Sequence, residues 1–289
     1  MCSGGFLHPL PILFVNPESP DHSLNHMDKA LAQAAVLIAL FLGTWFLLSQ
    51  FDYIKRFNLK DRIQVSEQKL GDKLWEFYSG AEKEETDSVL IQNVHLIKNR
   101  LCLSNRIDTS SLKFHVFRKT EVNAFALPNG HIVIHTGLIK NCKSPEELAG
   151  VIAHEIAHVE KKHVMNKLVK EAGIALLSSV IGGSAGAEIL GELIKMLSSS
   201  AYDRKLESEA DAVAVKYLLA ADLDPQHFAN FLFRLSTITD LPDEFVLLNS
   251  HPNSKDRAAV ILETRKTKKL RSKALLDAET WRAMQQACE

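Results

Sequence analysis

Apolar residues Leu148, Val151, Ile152, Ile156 and Val159 recur at helical spacing, so the segment from Ser144 onward reads as an amphipathic helix. Its start is marked too. Ser144 is placed as N-cap, Pro145 as the first helical residue, and Glu147 as the return arm of a capping box. The same period returns from Tyr202 to Ala221 through Leu206, Ala210, Val213, Ala214, Tyr217 and Leu218. Residues 59–80 and 86–104 read as amphipathic helices around a charged loop. Asp224-Pro225 opens another helix, and two more are expected over about 253–266 and 270–287.

Between these helices the period changes. Phe114-His115-Val116-Phe117 alternates, and Ala124-Phe125-Ala126-Leu127 runs into Pro128-Asn129-Gly130, a turn signal followed by Ile132-Val133-Ile134. A small antiparallel β-sheet is therefore predicted just before the Ser144 helix. An extended peptide could pair with its exposed edge. The fold class is α+β and predominantly helical.

Two apolar runs stand apart. Ala30 to Phe51 has no charged residue, and its 22 positions at ~1.5 Å each span the ~30 Å core of a bilayer. Trp45, Phe46 and Phe51 gather toward one end, as at a membrane interface. The expected organisation is a disordered leader over 1–29, a transmembrane anchor over 30–51 and a single domain over 52–289. Met27-Asp28-Lys29, directly before the run, marks Met27 as a candidate start of translation. Lys55, Arg56, Lys60 and Arg62 follow the anchor and only Lys29 precedes it, which favours a cytoplasmic face for the domain. The second run, Ala172 to Ala187, is short for a span and interrupted by Gly173, Gly182, Gly183 and Gly186. A flexible flap or helical hairpin beside the cleft is expected there, with a membrane-dipping segment as the alternative.

Composition narrows function only a little. A net charge of −1 over 289 residues gives no electrostatic case for nucleic acid. Cys2, Cys102, Cys142 and Cys288 form no CxxC pair, so a cysteine metal site is not expected.

The chemistry lies in His154-Glu155-Ile156-Ala157-His158. Residues four apart share a helix face, so His154 and His158 can present both imidazoles to one Zn²⁺, with Glu155 as general base. A third ligand is expected from a second helix. Glu207 and Asp211, four apart in Glu207-Ser208-Glu209-Ala210-Asp211, suit a ligand and a carboxylate that orients a ligand histidine. Glu209 lies on another face. Lys161 and Val164 exclude the HExxHxxGxxH pattern.

HEIAH followed by ESEAD resembles the zinc metallopeptidase family that includes HtpX, the CAAX prenyl endopeptidase and the mitochondrial Oma protease. Asn123-Ala124-Phe125-Ala126-Leu127-Pro128, His163 and His251-Pro252 with Arg257 also resemble motifs of that family, in the same order. The resemblance covers about residues 60–265. It implies a gluzincin-type zincin fold, one zinc per chain on His154, His158 and Glu207, and polypeptide substrates. It places His251 beside the cleft, to stabilise the oxyanion or to fill the open zinc position at rest, with Arg257 supporting the same charge. One span rather than several is more similar to the single-anchor bacterial envelope branch. That branch implies quality control of membrane or envelope proteins, an extracytoplasmic domain despite the charge pattern, and lipid contact through the anchor. The alternative is a zinc-binding holdase or adaptor with an occluded site. His95, His115, His131, His135 and His227 are expected to be structural or exposed.

Overall fold

The computed structural model describes residues 22–50, 59–238, 243–252, 254–266 and 273–289. The chain divides into two units, Met1–Lys60 and Asp61–Glu289. In the first, helix α1 runs from His22 to Gln50 and exposes Leu31, Val36, Leu37, Ile38 and Phe41. It begins well before the expected anchor start at Ala30. Among the described residues no helix is long and apolar enough to cross a membrane. The expected leader lies largely outside the described residues, as does the end of the expected anchor at Phe51.

The second unit opens with α2 (Leu59–Ala81) and α3 (Ser88–Asn105). Asp87 caps α3, its carboxylate accepting from the N–H groups of Val89 and Leu90, so the sequence places this start within two residues. Strands β1 (Lys113–Phe117), β2 (Ala124–Ala126) and β3 (His131–His135) follow. The predicted hairpin forms. Phe125 pairs antiparallel with Val133, and the turn at Asn129 and Gly130 takes positive φ at both residues.

The sheet is mixed, however, not antiparallel. Its order is β1-β3-β2, and β1 runs parallel to β3 with His115 opposite Val133. The loop over 118–123 reverses the chain and carries β2 past the slot that β3 then fills. That loop is held tightly: Gly137 N–H donates to Lys119 O at 2.8 Å, and a Cβ on Gly137 would stand 2.1 Å from Thr120 O.

Helix α4 (Thr136–Asn141) leads to α5 (Pro145–Glu160), the helix at the centre of the core. Ser144 Oγ accepts from Glu147 N–H as expected. Glu147 itself departs from the capping box. Its Oε2 accepts from Lys143 N–H at 2.8 Å, and both oxygens meet Arg234 at 2.7 Å. The buried Leu148, Val151, Ile152 and Ile156 face the core.

The apolar run after α5 is a helical hairpin, α6 (His163–Gly182) and α7 (Ala187–Ser199), with a kink at Gly173 where φ is 79°. Leu177 and Val180 are buried with Leu193, Ile194 and Leu197 in the common core. Then come α8 (Arg204–Ala220), α9 (Gln226–Ser236), α10 (Val246–Ser250), α11 (Ser254–Lys266) and α12 (Ala278–Gln286). The last starts later than the expected 270, because Asp277 caps it by accepting from Glu279 and Thr280 N–H groups.

Helix α5 is boxed in on several sides. It packs on α8, α9, β2, α3 and α6. Gly150 permits the α9 contact, since a Cβ there would lie 2.4 Å from Phe228 Cβ. The edge expected to be open to a peptide is covered at its start. Val122 N–H donates to Glu244 O at 2.7 Å, Leu247 N–H to Val122 O at 3.1 Å, and Asn123 Nδ2 to Ser198 O at 3.0 Å.

Candidate metal centre

Helix α5 supplies His154 and His158 one turn apart, and α8 supplies Glu207 from its first turn. His251 follows directly on α10. Four donor atoms, one from each of these residues, lie within 4.8 Å of one another, and all four residues are buried. His154 Nε2 stands 3.0 Å from His158 Nε2 and 3.2 Å from His251 Nδ1. Glu207 Oε1 stands 2.9 Å from His251 Nδ1 and 3.3 Å from His158 Nε2.

That crowding is itself informative. Three imidazole nitrogens and a carboxylate oxygen converge on one point, and a single proton could bridge only one pair among them. A cation satisfies all four at once. Imidazole and carboxylate are the donors that suit Zn²⁺, so the set fits the expected metal. Glu155 lies beside it, 1% exposed, with Oε1 left without a hydrogen-bond partner and 3.5 Å from His251 Nε2. Burial raises the carboxyl's pKa above the ordinary glutamate range, against the pull of His251 and His154.

The supports around these donors are also buried. Asp211 Oδ1 is 3.0 Å from His154 Nδ1, as the spacing from Glu207 anticipates. Arg257 Nε and Nη2 hold the two Asp211 oxygens at 2.7 and 2.8 Å. Arg257 Nη1 lies 2.7 Å from Glu207 Oε2 and donates to His251 O at 3.2 Å. This guanidinium therefore sits between the carboxylates of Asp211 and Glu207.

The charges set the protonation pattern of the metal-free centre. Burial would lower His154, but the Glu207 charge and hydrogen bonds to Asp211 and Glu207 outweigh it and raise its pKa to about 9. Burial dominates at His158 and pushes its pKa well below the usual value. Burial alone would raise Asp211; the Arg257 charge overcomes that and holds it at about 2. Glu207 is likewise held far below the usual carboxylate range, where burial is outweighed by His251 and His154.

Three further residues lie close to the donors. Tyr202 packs its ring 4.3 Å from that of His158 and 5.7 Å from that of His251. Lys167 lies 4.2 Å from the Tyr202 ring and donates to Ser200 O and, at 3.2 Å, Ala201 O. His163 is buried with Nδ1 3.1 Å from His158 Nδ1. For Tyr202 and Lys167 no spacing signal existed. For His163 the signal was a second histidine five residues beyond the motif.

The chain is similar to named proteases. The chain is 26% identical over 191 residues to "Beta-barrel assembly-enhancing protease" of Yersinia pestis, covering 58% of this chain and 38% of that protein. It is 29% identical over 161 residues to "Mitochondrial metalloendopeptidase OMA1" of Arabidopsis thaliana, covering 55% and 33%. "Metalloprotease LoiP" of Escherichia coli is 28% identical over 162 residues, covering 54% and 64%. The matched part of this chain thus corresponds to about a third of the length of the first two relatives. Residues 92–265, which include the HEIAH helix, Glu207, Asp211, His251 and Arg257, match peptidase family M48, and the chain belongs to that family.

Proposed function

We propose that this chain is a membrane-anchored zinc metalloendopeptidase that hydrolyses peptide bonds in membrane or envelope proteins under quality control. The observation that carries the reading is the buried meeting of His154, His158 and Glu207 beside the unpartnered Glu155 oxygen. His154, His158 and Glu207 would hold the ion. Bound zinc supplies Lewis acidity, lowering the pKa of water toward ~7 and polarising a carbonyl. Glu155 takes the proton of the attacking water and delivers it to the leaving amine. Burial raises its pKa, which makes the carboxylate a stronger base than an exposed glutamate. His251, through Nε2 on the side of Glu155, stabilises the oxyanion when it is not held among the ligands. Asp211 and Arg257 are positioning residues.

The printed names of the relatives support proteolysis, and those of the assembly-enhancing proteases support envelope targets. The uncharged run from Ala30 supports the anchor, and the similarity to envelope proteases supports an extracytoplasmic domain. Casein cleavage by the parent and Glu155→Gln tests the chemistry. The variant should keep its zinc and lose ~10²-fold or more in rate, the scale of a lost general base. Equal cleavage would sink the assignment.

A second reading rests on His251. Its Nδ1 makes a fourth donor, and the donors are closed from solvent, as a zinc-binding adaptor with little turnover would require. His251→Ala separates the two. Casein cleavage by the parent that slows in the variant supports the protease, while client binding without cleavage by either form supports the adaptor.

A further inference from the structure

His163 is 1% exposed at the site, yet neither of its nitrogens belongs to the gathered donor set. Its place depends on a break in the chain. A continuous helix would turn position 163 ~140° away from His158, since five residues at ~100° each overshoot one turn. Instead α5 stops at Glu160, Lys162 adopts φ of 59°, and α6 begins at His163. Lys161 N–H on Ala157 O at 2.9 Å and Lys162 N–H on Val159 O at 3.0 Å close the turn. Lys162 Nζ is anchored by Glu67 at 3.1 and 3.2 Å. The break returns the His163 ring to His158, with the two Nδ1 atoms 3.1 Å apart.

Two bare nitrogens do not face each other at that distance, so one carries a proton. His158 Nε2 faces His154 Nε2 and Glu207 Oε1, and it is the nitrogen that a cation would take. A neutral His158 that offers Nε2 to a metal keeps its proton on Nδ1. His163 Nδ1 is then the acceptor, and the His163 proton lies on Nε2. That nitrogen is 3.5 Å from Glu209 Oε2, and Lys161 Nζ holds the other Glu209 oxygen at 3.2 Å.

We propose that His163, steadied by Glu209, is a positioning residue that fixes the tautomer and ring orientation of His158. It does for His158 what Asp211 with Arg257 does for His154, using a neutral ring where the other ligand has a carboxylate. The proposal rests on His158 being a zinc ligand.

The test compares His163→Phe and His163→Asn in the full chain. Zinc affinity is read by competition with a chromophoric chelator, and the ligand field by visible absorption after Co²⁺ substitution. Phe keeps the ring and removes the acceptor, so affinity should fall ~10–100-fold, the usual cost of losing a ligand's outer partner. The cobalt bands should shift with it. Asn can offer Oδ1 to the same N–H and should keep most of the affinity and the parent spectrum. Parent-like affinity and bands in His163→Phe would overturn the proposal, as would an equal loss in His163→Asn. His158→Ala tells a deeper failure apart: if it binds zinc as the parent does, the metal site is wrongly assigned and the positioning role falls with it.

Discussion

Arg257 grips Asp211 through two parallel hydrogen bonds, Nε to Oδ2 at 2.7 Å and Nη2 to Oδ1 at 2.8 Å. The same Oδ1 is 3.0 Å from His154 Nδ1, so the guanidinium, the carboxylate and the ligand ring form one line. A third nitrogen, Nη1, adds Glu207 to it. One guanidinium thus pairs with both the ligand carboxylate of Glu207 and the Asp211 carboxylate behind His154.

Removing that cation should therefore be felt in folding as well as in metal binding. Arg257→Met leaves Asp211 and Glu207 buried with one fewer partner each, and breaking a buried pair typically costs about 3–5 kcal/mol. Denaturant unfolding of the zinc-free protein should show a loss of that size, with weaker zinc binding. A variant as stable as the parent would mean that the carboxylates find other partners.

Zinc binding should depend on pH. In the metal-free centre His154 has a pKa of about 9, and a ligand nitrogen must be free of its proton. Below pH 9 zinc displaces that proton, so apparent affinity should climb by up to ~10-fold per pH unit from this group and then level off. The stability contribution has the matching sign. His154 is raised above the unfolded value of ~6.5, so its share is fully present below that pH and fades as pH rises through about 9. Chelator competition across pH 6 to 10 measures the first effect, and a flat profile would contradict it.

Much of this centre was legible in the sequence, because its parts are local. The cap at Ser144, the one-turn spacing of His154 and His158, and the four-residue step from Glu207 to Asp211 are all helix geometry. What the sequence hid depends on contacts between distant segments. The parallel pairing of β1 with β3 follows from where the 118–123 loop carries the chain, which no alternation pattern records. Nothing in the spacing of Arg257 reveals Asp211, 46 residues earlier, as its partner. The approach of His163 to His158 was hidden too, because it depends on the left-handed residue at Lys162, which Glu67 from α2 supports.

The close approach of α5 and α9 gives a purely steric prediction. Ala at 150 would place its Cβ against Phe228 Cβ and Cγ, backbone-proximal atoms that cannot swing aside. Gly150→Ala should destabilise the domain by about 1–3 kcal/mol through overpacking, read as a lower thermal midpoint. An unchanged or higher midpoint would show that α9 can shift at no cost.

Two histidines of α5 and one carboxylate of α8 are the proposed zinc ligands. Metal analysis of the parent and Glu207→Ala, purified side by side, tests this assignment most directly. A single zinc per chain is expected in the parent and a large loss in the variant, since both histidines are incomplete ligands without Glu207. Equal zinc in the two proteins would contradict it.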